Sequence, residues 1–201
     1  MEQDKQVLEI WLKQLERMRS MQYSYHKKFF TLISTSLVLF LTLILLPHSH
    51  SIFYLPFLVV SAGVQASFYL HFCDFARIHA EAIEKKINEM YRLNLLLGAE
   101  LESTYFYDLK KPRISGFLLS TPFRFFSFFT LHWSFIWAAF FLIGVYQSLN
   151  ALSSSAKWYY LGGLFYWAAC NIGFIAYYFI KANDSKRIIK LLSNNLGKER
   201  V

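Results

Sequence analysis

Long stretches of this chain carry no formal charge, and that fact restricts its fold more than any other. Residues 29–73 contain no Asp, Glu, Lys or Arg. Residues 125–156 and 158–180 contain none either, so Lys157 stands alone between two charge-free runs. A water-soluble domain scatters its charges over its whole surface. Here, Lys157 apart, they are confined to three blocks: 1–28, 74–124 and 181–201. Such confinement belongs to a chain that uses lipid as one of its solvents. A Lys or Arg at the bilayer centre costs about 2.5–3.5 kcal/mol on insertion scales, which accounts for its exclusion from the runs. The expected fold is all-α integral membrane, with four transmembrane helices plus cytosolic amphipathic helices.

The first run holds two spans, 29–46 and 52–73, separated by Pro47, His48, Ser49, His50 and Ser51. The second pair is expected at 125–149 and 158–180, with 150–157 as a short outer loop. The basic residues fix the orientation. Block 1–28 holds six Lys/Arg, block 74–124 eight and block 181–201 six. This is the positive-inside pattern, so both termini and the central insert are expected in the cytosol. A net charge of +8 would suggest nucleic acid in a soluble protein. Position explains it instead by topology and attraction to anionic headgroups, and no nucleic acid is expected. No cleavable leader is expected, because a mixed, charged segment precedes the first apolar run, which serves as its own signal.

The charged blocks have a pattern of their own. Residues 2–27 read as an amphipathic helix: Leu8, Trp11, Leu15, Met18 and Tyr25 follow 3–4 spacing, with Gln22 the only break. No Pro or Gly interrupts 73–97, so the second span is expected to run on as a rod. Ala76, Ala80, Ile83, Ile87, Met90, Asn94, Leu97 and Leu101 form a heptad-like seam on it. Arg77, Glu81, Glu84, Lys85, Glu89 and Arg92 fall on its other faces. Leu8, Trp11, Leu15, Met18, Ile83, Ile87 and Met90 are the candidate interaction seam. Their partner is each other, a second subunit or a soluble cytosolic protein. Lys110, Lys111, Pro112 and Arg113 end the rod. Segment 114–123 is too short to span and reads as interfacial, and 181–201 as a basic amphipathic tail.

Catalytic chemistry is missing from the sequence. It has no HExxH, GxSxG, GxGxxG, Walker loop or CxxC. Cys73 and Cys170 make neither a disulfide framework nor a metal spacing, and His48 with His50 lacks a third ligand. No catalytic residue, cofactor or metal is expected, and the chain is not expected to be an enzyme. The polar groups inside the spans are the remaining candidates. Gln65, Asn171, Ser34 and Ser36 line a pore in an oligomer or glue helices together. His71 and His132, near the cytosolic ends of the second and third spans, form a pH-sensitive pair or are interfacial histidines bonded to backbone and headgroups.

An N-terminal helix ending in Tyr25, His26, Lys27 and Lys28, a tight two-span hairpin, and a long helix starting at Asp74 together resemble the SLATT membrane proteins of bacterial conflict systems. The resemblance covers about residues 7–100 and is one of layout. It implies a pore-forming or membrane-perturbing effector of antiphage defence in the bacterial inner membrane, working as a homo-oligomer. It carries no site residue over, because the layout has no signature motif.

Overall fold

The computed structural model of the chain describes the backbone of residues 2–46, 50–92, 94–98 and 125–182, and the side chains of 5–46, 50–92, 94–98 and 132–177. Segment 114–123, Lys110 to Arg113, Leu101 and the tail beyond 182 lie outside the described residues. Among the described residues the regular structure is entirely helical. The helices are α1 (Glu2–Leu45), α2 (Leu55–Tyr91), α3 (Phe125–Ala151) and α4 (Ser154–Ala182). A short 3-10 turn, η1 (His50–Tyr54), precedes α2.

The amphipathic helix and the first apolar run are one rod. α1 runs unbroken for 44 residues, about 66 Å at 1.5 Å per residue and twice the thickness of a hydrocarbon core. The switch from charged to apolar at Lys28 changes which solvent suits the side chains. It leaves the backbone hydrogen bonds intact, so nothing ends the helix there.

α2 is equally continuous through the change at Asp74. Pro56 sits in its first turn, where a missing N–H costs no hydrogen bond. The helix ends at Tyr91, short of the rod to Leu97 that the absence of Pro and Gly implies. Arg92 adopts a left-handed conformation, φ 51° and ψ 33°, and its N–H donates to the Glu89 carbonyl at 3.2 Å. Glycine is the usual residue in that conformation, which is why the sequence hides the stop.

α1 and α2 form a long antiparallel hairpin. At its apolar end Phe40 packs with Leu55, Val59 and Ala62. Midway, Phe29 and Ile33 meet Ala66. Further along, the Cys73 thiol lies 3.7 Å from the Gln22 carbonyl. In the charged half Met18 meets Ala80, Ile83 and Ile87, flanked by Leu8, Trp11 and Leu15. Buried alanines at 62, 66, 76 and 80 let the two helices approach closely.

α3 and α4 both pack on α2. The Phe140 and Phe40 rings lie 5.4 Å apart. A Cβ on Gly63 would stand 3.3 Å from the Trp137 ring, and one on Gly144 would stand 3.1 Å from Leu55 and Pro56. α4 contributes Tyr160 against Phe57 and Phe174 against Phe68, with centroids 5.8 and 6.3 Å apart. The connection between α3 and α4 is shorter than the expected 150–157. α4 already begins at Ser154, and the Lys157 N–H donates to the Ser153 carbonyl at 3.0 Å.

Among the described residues three helical stretches are long and apolar enough to cross a membrane: Lys5–Leu45, His50–Tyr91 and His132–Ala151.

Candidate functional site

The seam residues come together within the chain. Met18, Ile83 and Ile87 are buried in one cluster, with Leu8, Trp11 and Leu15 packed against it. Ala80 and Ile83 are fully covered. The seven candidates divide, however. Met90 is 41% exposed and stands outside the cluster. It follows the same heptad arithmetic, but it lies in the last turn before Tyr91, beyond the reach of the packed stripe. Asn94 and Leu97 are also exposed, because the helix that would have carried them inward has already ended.

Beside the seam lies a polar cluster. The sequence spacing puts Arg77, Glu81 and Glu84 on solvent-facing sides of α2, but the structure buries all three, at 3%, 8% and 5% exposure. Arg77 donates to Asp74 through Nε at 3.1 Å and Nη2 at 2.6 Å. Its Nη1 lies 4.0 Å from Glu81, whose other oxygen meets Lys85 at 3.0 Å. Arg19 reaches across from α1 and donates to Glu84 at 2.7 Å. Gln22, the one polar break in the apolar stripe, is buried and accepts from Arg19 at 3.5 Å. The break was therefore a signal: Gln22 buttresses Arg19 on its own helix, and Arg19 in turn reaches Glu84 on the facing one.

A third feature closes the charged end. Asn88 accepts hydrogen bonds from the Leu95 and Leu96 N–H groups, each at 3.0 Å, and donates to the Leu96 carbonyl at 2.8 Å. Leu96 packs on the Met18 cluster. A Cβ on Gly98 would lie 2.6 Å from the Arg19 guanidinium. His79, nearby on α2, sits edge-on to Phe75 at 6.0 Å, and burial pushes its imidazole below the ordinary value.

The polar candidates of the apolar runs separate in the same way. Ser36 is buried between helices, whereas Ser34 and Gln65 are exposed on the outside of the described bundle. Asn171 does not bridge to another helix: its amide donates to the Trp167 carbonyl one turn back, at 2.8 Å. Thr42, Ser61 and Ser67 make the same kind of bond to Val38, Phe57 and Gly63, an arrangement that satisfies a short polar side chain without a partner helix. His71 is half-buried with its ring 5.9 Å from Phe72, and His132 is exposed with its ring 6.1 Å from Trp133. Among the described residues no three His, Cys, Asp or Glu side chains gather as metal ligands.

At the opposite end of the hairpin lies a lock that no spacing or motif in the sequence announces. Ser148 of α3 is fully buried and donates to the Ile52 carbonyl at 3.4 Å. Tyr160 of α4 donates to the Phe53 carbonyl at 3.0 Å, with the Ser148 hydroxyl 3.2 Å away. Side chains from two helices thus hydrogen-bond to the backbone carbonyls of η1.

Comparison with protein-family models, with curated proteins and with solved structures finds no match. The arrangement itself defines a class: an all-helical protein whose longest hairpin is apolar at one end and an ion-paired, heptad-packed pair at the other.

Proposed function

We propose that the protein is a multi-pass membrane effector, crossing the bilayer four times with both termini and the 74–124 insert in the cytosol. It works as a homo-oligomer of the channel or membrane-perturbing type, gated through the charged half of the α1–α2 hairpin. The observation that carries the reading is Gln65. It lies near the middle of an apolar run, yet its amide is exposed on the outside of the bundle. A primary amide facing lipid is costly. A second copy covers it and gains about 0.6–1.7 kcal/mol for each hydrogen bond across the interface. The outer surfaces of Gly162, Gly163 and Gly173 on α4 have nothing within 4 Å, which leaves room for close approach of another helix. The layout shared with the SLATT proteins adds the expectation of a role in antiphage defence at the bacterial inner membrane.

Planar-bilayer recording of the purified protein tests this. The reading expects conductance that Gln65→Leu reduces severely and Asn171→Leu leaves nearly intact, since Asn171 is satisfied within its own helix. A strictly monomeric, silent protein ends the proposal.

A second reading has an observation of its own. Ile10, Tyr91 and Leu95 are 57%, 47% and 62% exposed in the charged half of the hairpin. Under this reading the protein is a membrane anchor whose cytosolic tip recruits a soluble partner. Ile10→Glu with Leu95→Glu then releases a stoichiometric partner from native membranes while conductance is untouched.

A further inference from the structure

We propose that Asn88 and residues 94–98 form a clasp that locks the charged half of α1 onto α2. Opening the clasp frees the Leu8, Trp11, Leu15 and Met18 stripe without disturbing the apolar half of the hairpin. The inference goes beyond the functional reading above and stands whether or not the protein conducts.

The clasp has three parts. The first is the reversal. Arg92 takes a left-handed conformation that is unfavourable for a non-glycine residue, so something must hold the chain in it. Asn88 supplies that hold. One side chain makes three hydrogen bonds to the returning backbone at Leu95 and Leu96; a serine lacks the second donor–acceptor group, and a glutamine carries the same amide but sets it one methylene further from the helix. The second part is Leu96. Its neighbours Leu95 and Leu97 are exposed, while Leu96 alone turns inward onto Met18, Ala80, Ile83 and Ile87. The strap therefore adds a third element to a seam otherwise made by two helices.

The third part is Gly98. The nearest atom to its absent Cβ is Arg19 Nη2 at 2.6 Å, with Glu84 Oε1 next at 3.5 Å. The strap thus lies against an ion pair that joins α1 to α2. A side chain at 98 would displace the far end of the flexible Arg19 side chain, whose Nη2 also holds Glu84 at 2.7 Å, so the strap and the ion pair share one contact.

The test uses full-length protein in liposomes, with Cys73→Ala and Cys170→Ser as background and paired spin labels. One pair, Gln6→Cys with Glu89→Cys, reports the charged end. The other, Leu39→Cys with Leu58→Cys, reports the apolar end. Asn88→Ala and Gly98→Val are expected to broaden the first distance distribution and leave the second sharp. Amide exchange along 8–18 then accelerates about tenfold or more. Asn88→Asp keeps the acceptor and loses the donor, so it falls between wild type and Asn88→Ala. A charged-end distribution unchanged in both Asn88→Ala and Gly98→Val overturns the proposal. So does equal loosening at both ends, because the turn would then be part of one indivisible packing unit.

Discussion

Arg19 of α1 and Glu84 of α2 meet at 2.7 Å, sixty-five residues apart in sequence, with Glu84 almost wholly buried and Arg19 about a quarter exposed. The pair is the polar counterpart of the Met18 cluster one turn away. It fixes the register of the hairpin, since a slip of either helix by a turn would leave a buried carboxylate without its cation. Glu84→Gln and Arg19→Ala are therefore unequal. Glu84→Gln keeps a hydrogen-bond acceptor for Arg19. Arg19→Ala removes the cation 2.7 Å from a buried carboxylate and costs about 3 kcal/mol, against a smaller loss for Glu84→Gln. Thermal unfolding in detergent, followed by amide exchange along 8–18, ranks the two.

The apolar seam makes a separate prediction. Ile83 is fully buried, so Ile83→Ala removes packed volume and costs about 2–5 kcal/mol. Met90, which has the same heptad position but is exposed, tolerates Met90→Ala within about 0.5 kcal/mol. Denaturant titration of the charged half, read by exchange at 8–18, measures both.

Glycines separate intramolecular from outward-facing surfaces. Gly144→Val drives new atoms into Leu55 and Pro56, which are already at contact distance from a Cβ there. It is expected to loosen α3 from α2 and to abolish a disulfide engineered between these helices. Gly163→Ala meets open space in the single chain and gains up to about 1 kcal/mol of helix propensity. In detergent-solubilised monomer it is neutral or stabilising. A loss of oligomer with Gly163→Ala and an unchanged monomer would locate the contact between copies.

His79 gives the hairpin a pH dependence of known sign. Burial lowers its folded pKa below the ordinary 6.5, so the folded state binds fewer protons than the unfolded one. Stability is then complete above pH 6.5 and declines as pH falls through that value and below it. His79→Leu flattens this part of the profile. Unfolding midpoints between pH 5 and 8 for the two proteins show the difference.

The sequence and the structure agree where one solvent decides. Runs without charge became long apolar helices, and 3–4 spacing from Leu8 to Met18 became the packed face of α1. They part where two side chains decide together. Arg77, Glu81 and Glu84 read as solvent-facing because a single helix offers no cause to bury them. Partners such as Asp74, Lys85 and Arg19, the last on another helix, supply that cause. The end of α2 was equally hidden, since the stop rests on Arg92 in a glycine-like conformation and on Asn88 bonding seven and eight residues ahead. The candidate pore residues were legible as polar groups in apolar runs. Their separation into exposed Gln65 and self-satisfied Asn171 was not, because facing depends on which helix α2 chooses for each side.

The central claim is that the turn of the hairpin and its charged end lie on opposite sides of a bilayer. Single cysteines on the Cys73→Ala, Cys170→Ser background test it directly with a membrane-impermeant maleimide on intact cells. The account predicts that Tyr54→Cys and Ser153→Cys label at once, whereas Lys13→Cys and Glu89→Cys label only after permeabilisation. Labelling of Lys13→Cys or Glu89→Cys in intact cells, or protection of Tyr54→Cys, would contradict it.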